Sequence, residues 1–179
     1  MTSAMNTSES ARMTTAREAA FRIDRPNALP RAVHVFALDD ASWRLLQEVA
    51  GLPWTRAAFF AARSFDTDTP APAQGASFSA WLQDLAGRTR DLVAEVGRAD
   101  VVVLVATAGH DAGQDSRMAS IIGEACRAQG RNGAGIVLRG RATAAEEAGT
   151  MARMRPHVRM LVAAGDADYL TQMLTALRA

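Results

Sequence analysis

Residues 99–140, ADVVVLVATAGHDAGQDSRMASIIGEACRAQGRNGAGIVLRG, constrain the fold more than any other part of the chain. They read as a buried strand, a glycine-containing turn, an amphipathic helix and a second buried strand. Residues 101–106 are apolar without alternation, the mark of a strand covered on both faces. A strand, a helical crossover and a second such strand make one βαβ unit, and open α/β sheets bind ligands at the turn leaving the first strand.

The rest of the chain fits the same scheme. Residues 32–38 (AVHVFAL) form a β-rich run ended by Asp39 and Asp40, and Trp43, Leu46 and Val49 then recur at helical spacing until Gly51 and Pro53. Residues 57–62 (AAFFAA) predict a second strand, and 66–76 (DTDTPAPAQGA) a loop. Over 78–98 the apolar positions Trp81, Leu82, Leu85, Leu92, Val93 and Val96 predict one long helix, weakened at Gly87. Further along, 100–107 is the third strand, 114–129 a helix, 134–138 the fourth strand, 142–155 a helix, 158–163 the fifth strand and 167–177 a closing helix. The expected fold is a three-layer α/β/α sandwich, Rossmann-like or flavodoxin-like, on a five-stranded parallel sheet in the order 2-1-3-4-5. Residues 31–179 form this single domain. Residues 1–30, rich in Ser, Thr, Ala and Arg, read as a disordered tail.

Composition removes several chemistries. None of the 179 residues is lysine, so a P-loop lysine, a Schiff base and a lysine nucleophile are all excluded. Cys126 is the only cysteine and lies on the inner face of its expected helix, which makes it a packing residue. His34, His110 and His157 show no metal-ligand spacing. A net charge of +1 gives no general attraction to nucleic acid or anionic lipid, and no apolar run is long enough to span a membrane. With no secretory signal, the expected compartment is the cytoplasm.

RADVVVLVATAG (98–109), MASIIGEACRAQG (118–130), NGAGIVLRG (132–140) and VRMLVAAGDADYL (158–170) together resemble the nucleotide-binding domain of the FtsZ/tubulin-like GTPases. In that family a strand of this type runs into a glycine-rich phosphate loop and then a helix. The eight residues HDAGQDSR (110–117) equal that loop in length. The resemblance implies a GTP site between the first and third strands. This loop departs from the pattern, with Gly113 its only interior glycine, and ALDDASWR replaces the first glycine-rich loop. Asp39 and Asp40 there would set negative charge against phosphate. The resemblance is therefore to a degenerate and truncated member in which GTP is doubtful.

The expected strand order brings Asp39, Asp40, Gly109, His110, Asp111, Gly113 and Asp115 to one crevice, the candidate ligand site. Asp66, Asp68, Asp166 and Asp168 extend this acidic rim, offset mainly by Arg63, Arg139 and Arg141. Two readings compete. Aspartate is a favoured helix N-cap, contributing about 0.5–2 kcal/mol, and most of these residues stand just before a helix. Alternatively Asp39, Asp40 and Asp111 ligate a divalent cation, for which oxygen ligands suit Mg²⁺. A response-regulator receiver would need a lysine after the fifth strand, where this chain has Gly165. No GxSxG elbow and no GxGxxG after the first strand is present. His110 reads as a solvated turn residue. The expected function is non-enzymatic: protein interaction or small-ligand sensing on a degenerate nucleotide-binding fold, with homo-oligomers among the candidate assemblies. The alternative is a nucleotide- or metal-dependent enzyme working through the switch-point loops.

Overall fold

The computed structural model describes residues 29–62, 81–110 and 112–179, so the expected tail over 1–28 and the loop over 66–76 lie outside the described residues. The elements in chain order are β1 (Val33–Ala37), α1 (Asp40–Ala50), β2 (Ala57–Ala61), β3 (Trp81–Asp84) and β4 (Thr89–Asp91). They continue as α2 (Leu92–Arg98), β5 (Val101–Thr107), α3 (Ala112–Ala128), β6 (Asn132–Leu138) and α4 (Ala144–Met154). A 3₁₀ turn (Arg155–His157), β7 (Met160–Ala164) and α5 (Asp168–Leu177) complete the chain. The protein is α/β.

The sheet corrects the expectation of five parallel strands in the order 2-1-3-4-5. Among the described residues it has seven strands in the order β4-β3-β2-β1-β5-β6-β7, and it is mixed. β2, β1, β5, β6 and β7 pair in parallel, while β3 joins β2 antiparallel and β4 joins β3 antiparallel. The added pair comes from the segment expected as one long helix. Asp84 breaks that helix: its carboxylate accepts the backbone N–H groups of Ala86 at 3.0 Å and Arg88 at 2.9 Å. Its carbonyl accepts Gly87 N–H at 2.9 Å. Gly87 takes φ +75°, a left-handed conformation that glycine adopts without strain. The helix that remains starts after Asp91, whose side chain accepts Ala94 N–H at 2.7 Å.

β5 is central, pairing with β1 and β6, and its residues 102–106 are buried. Successive side chains feed two cores. Val102, Leu104 and Ala106 pack with Leu92 and Val96 of α2 and with Ala119 and Ile122 of α3. Val103 and Val105 pack with Leu46 of α1 and with Leu170 and Leu174 of α5. The sheet thus carries helices on both faces, as a central strand without polar alternation requires. Cys126 is buried in the first core, and burial pushes its thiol up to about 11, too high for a reactive thiolate at neutral pH.

Two aspartates tie β1 to β5 at opposite ends. Asp100 Oδ2 accepts Ala32 N–H at 2.8 Å where the strands begin. Asp39 Oδ2 accepts Thr107 N–H at 2.7 Å where they end. Both bonds close loops between residues 68 apart in the chain.

Candidate functional site

The switch point lies between the ends of β1 and β5, since the chain leaves β1 toward β2 on one side while β5 and β6 extend the sheet on the other. Its occupant is Asp39. This residue is 8% exposed and N-caps α1, its Oδ1 accepting Ser42 N–H at 2.7 Å. Ser42 Oγ returns to the backbone of Asp39, which completes a reciprocal cap. With Oδ2 on Thr107, each carboxylate oxygen holds a backbone amide of a different element.

The neighbouring amides are also engaged. Leu38 N–H donates to Val105 O at 2.9 Å, Ala108 N–H to Leu138 O at 2.8 Å, and His110 N–H to Thr107 O at 3.3 Å. Gly109 has φ +78°, and a Cβ there would stand 3.3 Å from Glu146 Cδ. Glu146 is held over the turn by Thr143, whose N–H and Oγ1 reach its carboxylate at 2.7 and 2.8 Å. Those two bonds draw its pKa below the ordinary glutamate value. An anion arriving at Gly109 would therefore meet a carboxylate.

The structure places the other expected site residues unevenly. Asp40 lies in the first turn of α1 and is exposed, as are Gly109 and His110. Gly113 and Asp115 belong to the backbone of α3, which begins at Ala112, so the eight-residue loop expected over 110–117 is corrected to a short turn followed by helix. One glycine costs a helix only about 1 kcal/mol relative to alanine, too little to hold this stretch open. Asp166 accepts Asp168 N–H at 3.1 Å at the start of α5. Arg139, expected to offset the rim, forks onto the carboxylate of Glu147. Asp111, Asp66, Asp68 and Arg63 lie outside the described residues. Among the described residues no group of three His, Cys, Asp or Glu side chains stands close enough to hold a metal ion.

A second cluster, missed by sequence reasoning, lies near the start of β1 on the α2 face. His34 of β1 faces a cleft of about 440 Å³ between the β3–β4 hairpin and α2. Its Nδ1 is buried without a hydrogen-bond partner, the Glu95 carboxylate of α2 standing 3.6 Å away. Burial lowers the His34 pKa. Glu95 opposes that shift and Arg98 adds to it, so the ring is neutral near pH 7. Arg98 Nη1 donates to Glu95 Oε1 at 2.8 Å.

Across the cleft, Asp84 Oδ2 receives Arg88 Nε at 2.9 Å and Arg90 Nε at 3.0 Å. Burial raises the Asp84 pKa, but the Arg88 amide, the two guanidinium groups and the Ala86 amide outweigh it and bring the value to about 2. The sign follows from linkage. A carboxylate depressed from 3.8 in the unfolded chain to about 2 stabilises the fold above pH 4, and loses that contribution as pH falls toward 2. Asp84→Asn is expected to flatten this part of the acid-unfolding profile. Parallel melts of the two proteins between pH 5 and pH 2 check it; identical slopes would contradict it.

A turn signal for the hairpin was present in the sequence, because Asp84 followed three residues later by Gly87 fits a tight turn. Nothing linked His34 to Glu95, since only the packing of α2 over β1 brings them together. The chain matches no protein-family model and no curated protein sequence. Among the described residues no helix is long and apolar enough to cross a membrane.

Proposed function

We propose that this chain is a non-enzymatic, degenerate nucleotide-binding-fold protein of the FtsZ/tubulin-like type. It works in the cytoplasm by sensing a small ligand or engaging a protein partner, a second copy included. The finer architecture in this reading is a three-layer, Rossmann-like sandwich, and the two cores on opposite faces of the sheet support it.

One observation carries the functional half: both oxygens of Asp39 are committed to the Ser42 and Thr107 amides. In a phosphate-binding switch point, backbone amides approach the ligand and a positive potential welcomes it. Here a carboxylate occupies that position, and Glu146 stands over the positive-φ turn at Gly109. Opening the site for a nucleotide would uncap α1 and release the Thr107 amide, a cost that binding would have to offset. A cation recruited by Asp39 would meet the same competition from the two amides.

Thermal melts of the full chain test the reading. GTP with Mg²⁺, each at a millimolar concentration, is expected to move the midpoint by less than about one degree, because stabilisation vanishes when Kd exceeds the ligand concentration. Micromolar affinity by calorimetry would overturn the reading in favour of a nucleotide-dependent enzyme.

A further inference from the structure

We propose that β7 is the seat of a homodimer: two copies of this chain join antiparallel along their β7 edges, about a two-fold axis at Val162, so that one sheet runs through both. The proposal names the second copy as the partner in the function above and rests on the protein-engaging half of that reading. Three observations converge.

The first is the contrast between the two edges of the sheet. Among the described residues β4 closes one side and β7 the other. β4 is three residues long, and its Arg90 is bound to Asp84 of the same hairpin. A short strand with charged side chains is a guarded edge. β7 is five residues long, reads MLVAA and carries neither a charge nor a proline. Unguarded edges of that kind are templates for another strand.

The second is the direction of the backbone groups. Ala164 O accepts Arg139 N–H at 2.9 Å, so within β7 the residues Met160, Val162 and Ala164 turn their N–H and C=O groups toward β6. Alternation turns those of Leu161 and Ala163 outward. An antiparallel copy centred on Val162 sets Leu161 opposite Ala163 of the second copy, and symmetry repeats the pair. Each pair exchanges both of its N–H···O=C bonds, which uses every outward group of these residues.

The third is what flanks the strand. On one face α4 covers β7, with Leu161 lying over Gly135 beside Met154. On the other face Met160 is 52% exposed, and Val162 is half-buried and belongs to neither core. There α5 packs over β5 and β6 through Leu170 and Leu174, and Tyr169 in its first turn is 37% exposed. Antiparallel pairing carries Met160 to the end of the other β7 from which α5 departs, so the two exposed apolar side chains approach each other. It also brings the exposed Arg159 at the start of each strand toward the exposed Asp166 beyond the end of the other. A parallel copy would set Arg159 beside Arg159.

Analytical ultracentrifugation of the full chain tests the proposal. The mass is expected to double from 19.1 kDa between low and high micromolar protein. Ala163→Pro removes an outward N–H, and proline is tolerated on an edge where that group faces solvent, so the monomer should still fold. Val162→Arg sets like charges opposite each other at the two-fold axis. Each variant should weaken association tenfold or more while melting cooperatively at low concentration. Amide exchange of the unmodified chain locates the contact without any variant: Leu161 and Ala163 should exchange slowly in the dimer and fast on dilution. The proposal is overturned by a chain that stays monomeric, by a dimer that leaves these two amides unprotected, or by a folded variant that still dimerises. A monomer with both amides protected at every concentration would assign the edge to another segment of this chain. A monomer with both unprotected would leave it to a different protein. A monomer with GTP and Mg²⁺ still inert removes the β7 dimer alone, whereas micromolar GTP binding removes the non-nucleotide reading whatever the mass.

Discussion

Asp39→Ala is expected to lower the stability of the fold by about 2–4 kcal/mol. Two losses add. Removing the cap of α1 costs about 0.5–2 kcal/mol, and leaving the half-buried Thr107 amide without its acceptor costs about 1–3 kcal/mol. For a chain of this size the midpoint should fall on the order of 5–15 °C. Asp39→Asn should lie between wild type and alanine, because its one carbonyl oxygen can serve Ser42 or Thr107 but not both. Chemical denaturation of the three proteins checks the order. A loss below about 0.5 kcal/mol for alanine would mean that the carboxylate is not what joins β1 to β5, and the closed switch point would lose its physical basis.

The second large effect concerns glycine, with the same substitution expected to act in opposite directions at two helical sites. In α3, a Cβ on Gly123 would lie 2.6 Å from the carbonyl oxygen of His157 and 3.0 Å from its Cβ. The obstacle is backbone in a 3₁₀ turn stiffened by Pro156, so it cannot swing aside. Overpacking of this kind costs about 1–3 kcal/mol, against a gain of about 1 kcal/mol for alanine over glycine in a helix. Gly123→Ala should therefore destabilise by about 1–2 kcal/mol and loosen the seat of α3 on the turn before β7. In α2, a Cβ on Gly97 would meet only the Gln129 side chain, at 3.7 Å. Gly97→Ala should stabilise by about 0.5 kcal/mol through the unfolded chain. Unfolding midpoints of the two variants decide the matter, and shifts of the same sign would contradict the close approach.

These two sites also show what local sequence can and cannot carry. Residues 101–106 state their own burial, because a run of apolar β-formers with no polar position has no solvent face to offer. The α/β class and the central place of β5 follow from it. The 81–98 segment failed for a definable reason. Its apolar positions fit helical spacing, and that signal outweighed the turn chemistry of Asp84 and Gly87, which puts β3 and β4 on the sheet edge. For the candidate site, the acidic character of the switch point was legible, and so was a capping role for aspartate before α1. The second bond of Asp39, to Thr107, was not, since it depends on the register that aligns Ala37 with Val105. The His34 cleft was illegible for the same cause. Its residues come from five elements that only the folded sheet brings together.

The central claim is that the switch point is closed by the protein's own carboxylate and takes no nucleotide. Amide ¹H–¹⁵N spectra of the full chain, recorded with and without millimolar GTP and Mg²⁺, test it most directly. The account predicts that the Thr107, Ala108 and His110 amides keep their positions and that Thr107 exchanges slowly with solvent, held by Asp39. Saturable shifts of these three amides, with Thr107 released to fast exchange on nucleotide addition, would contradict it.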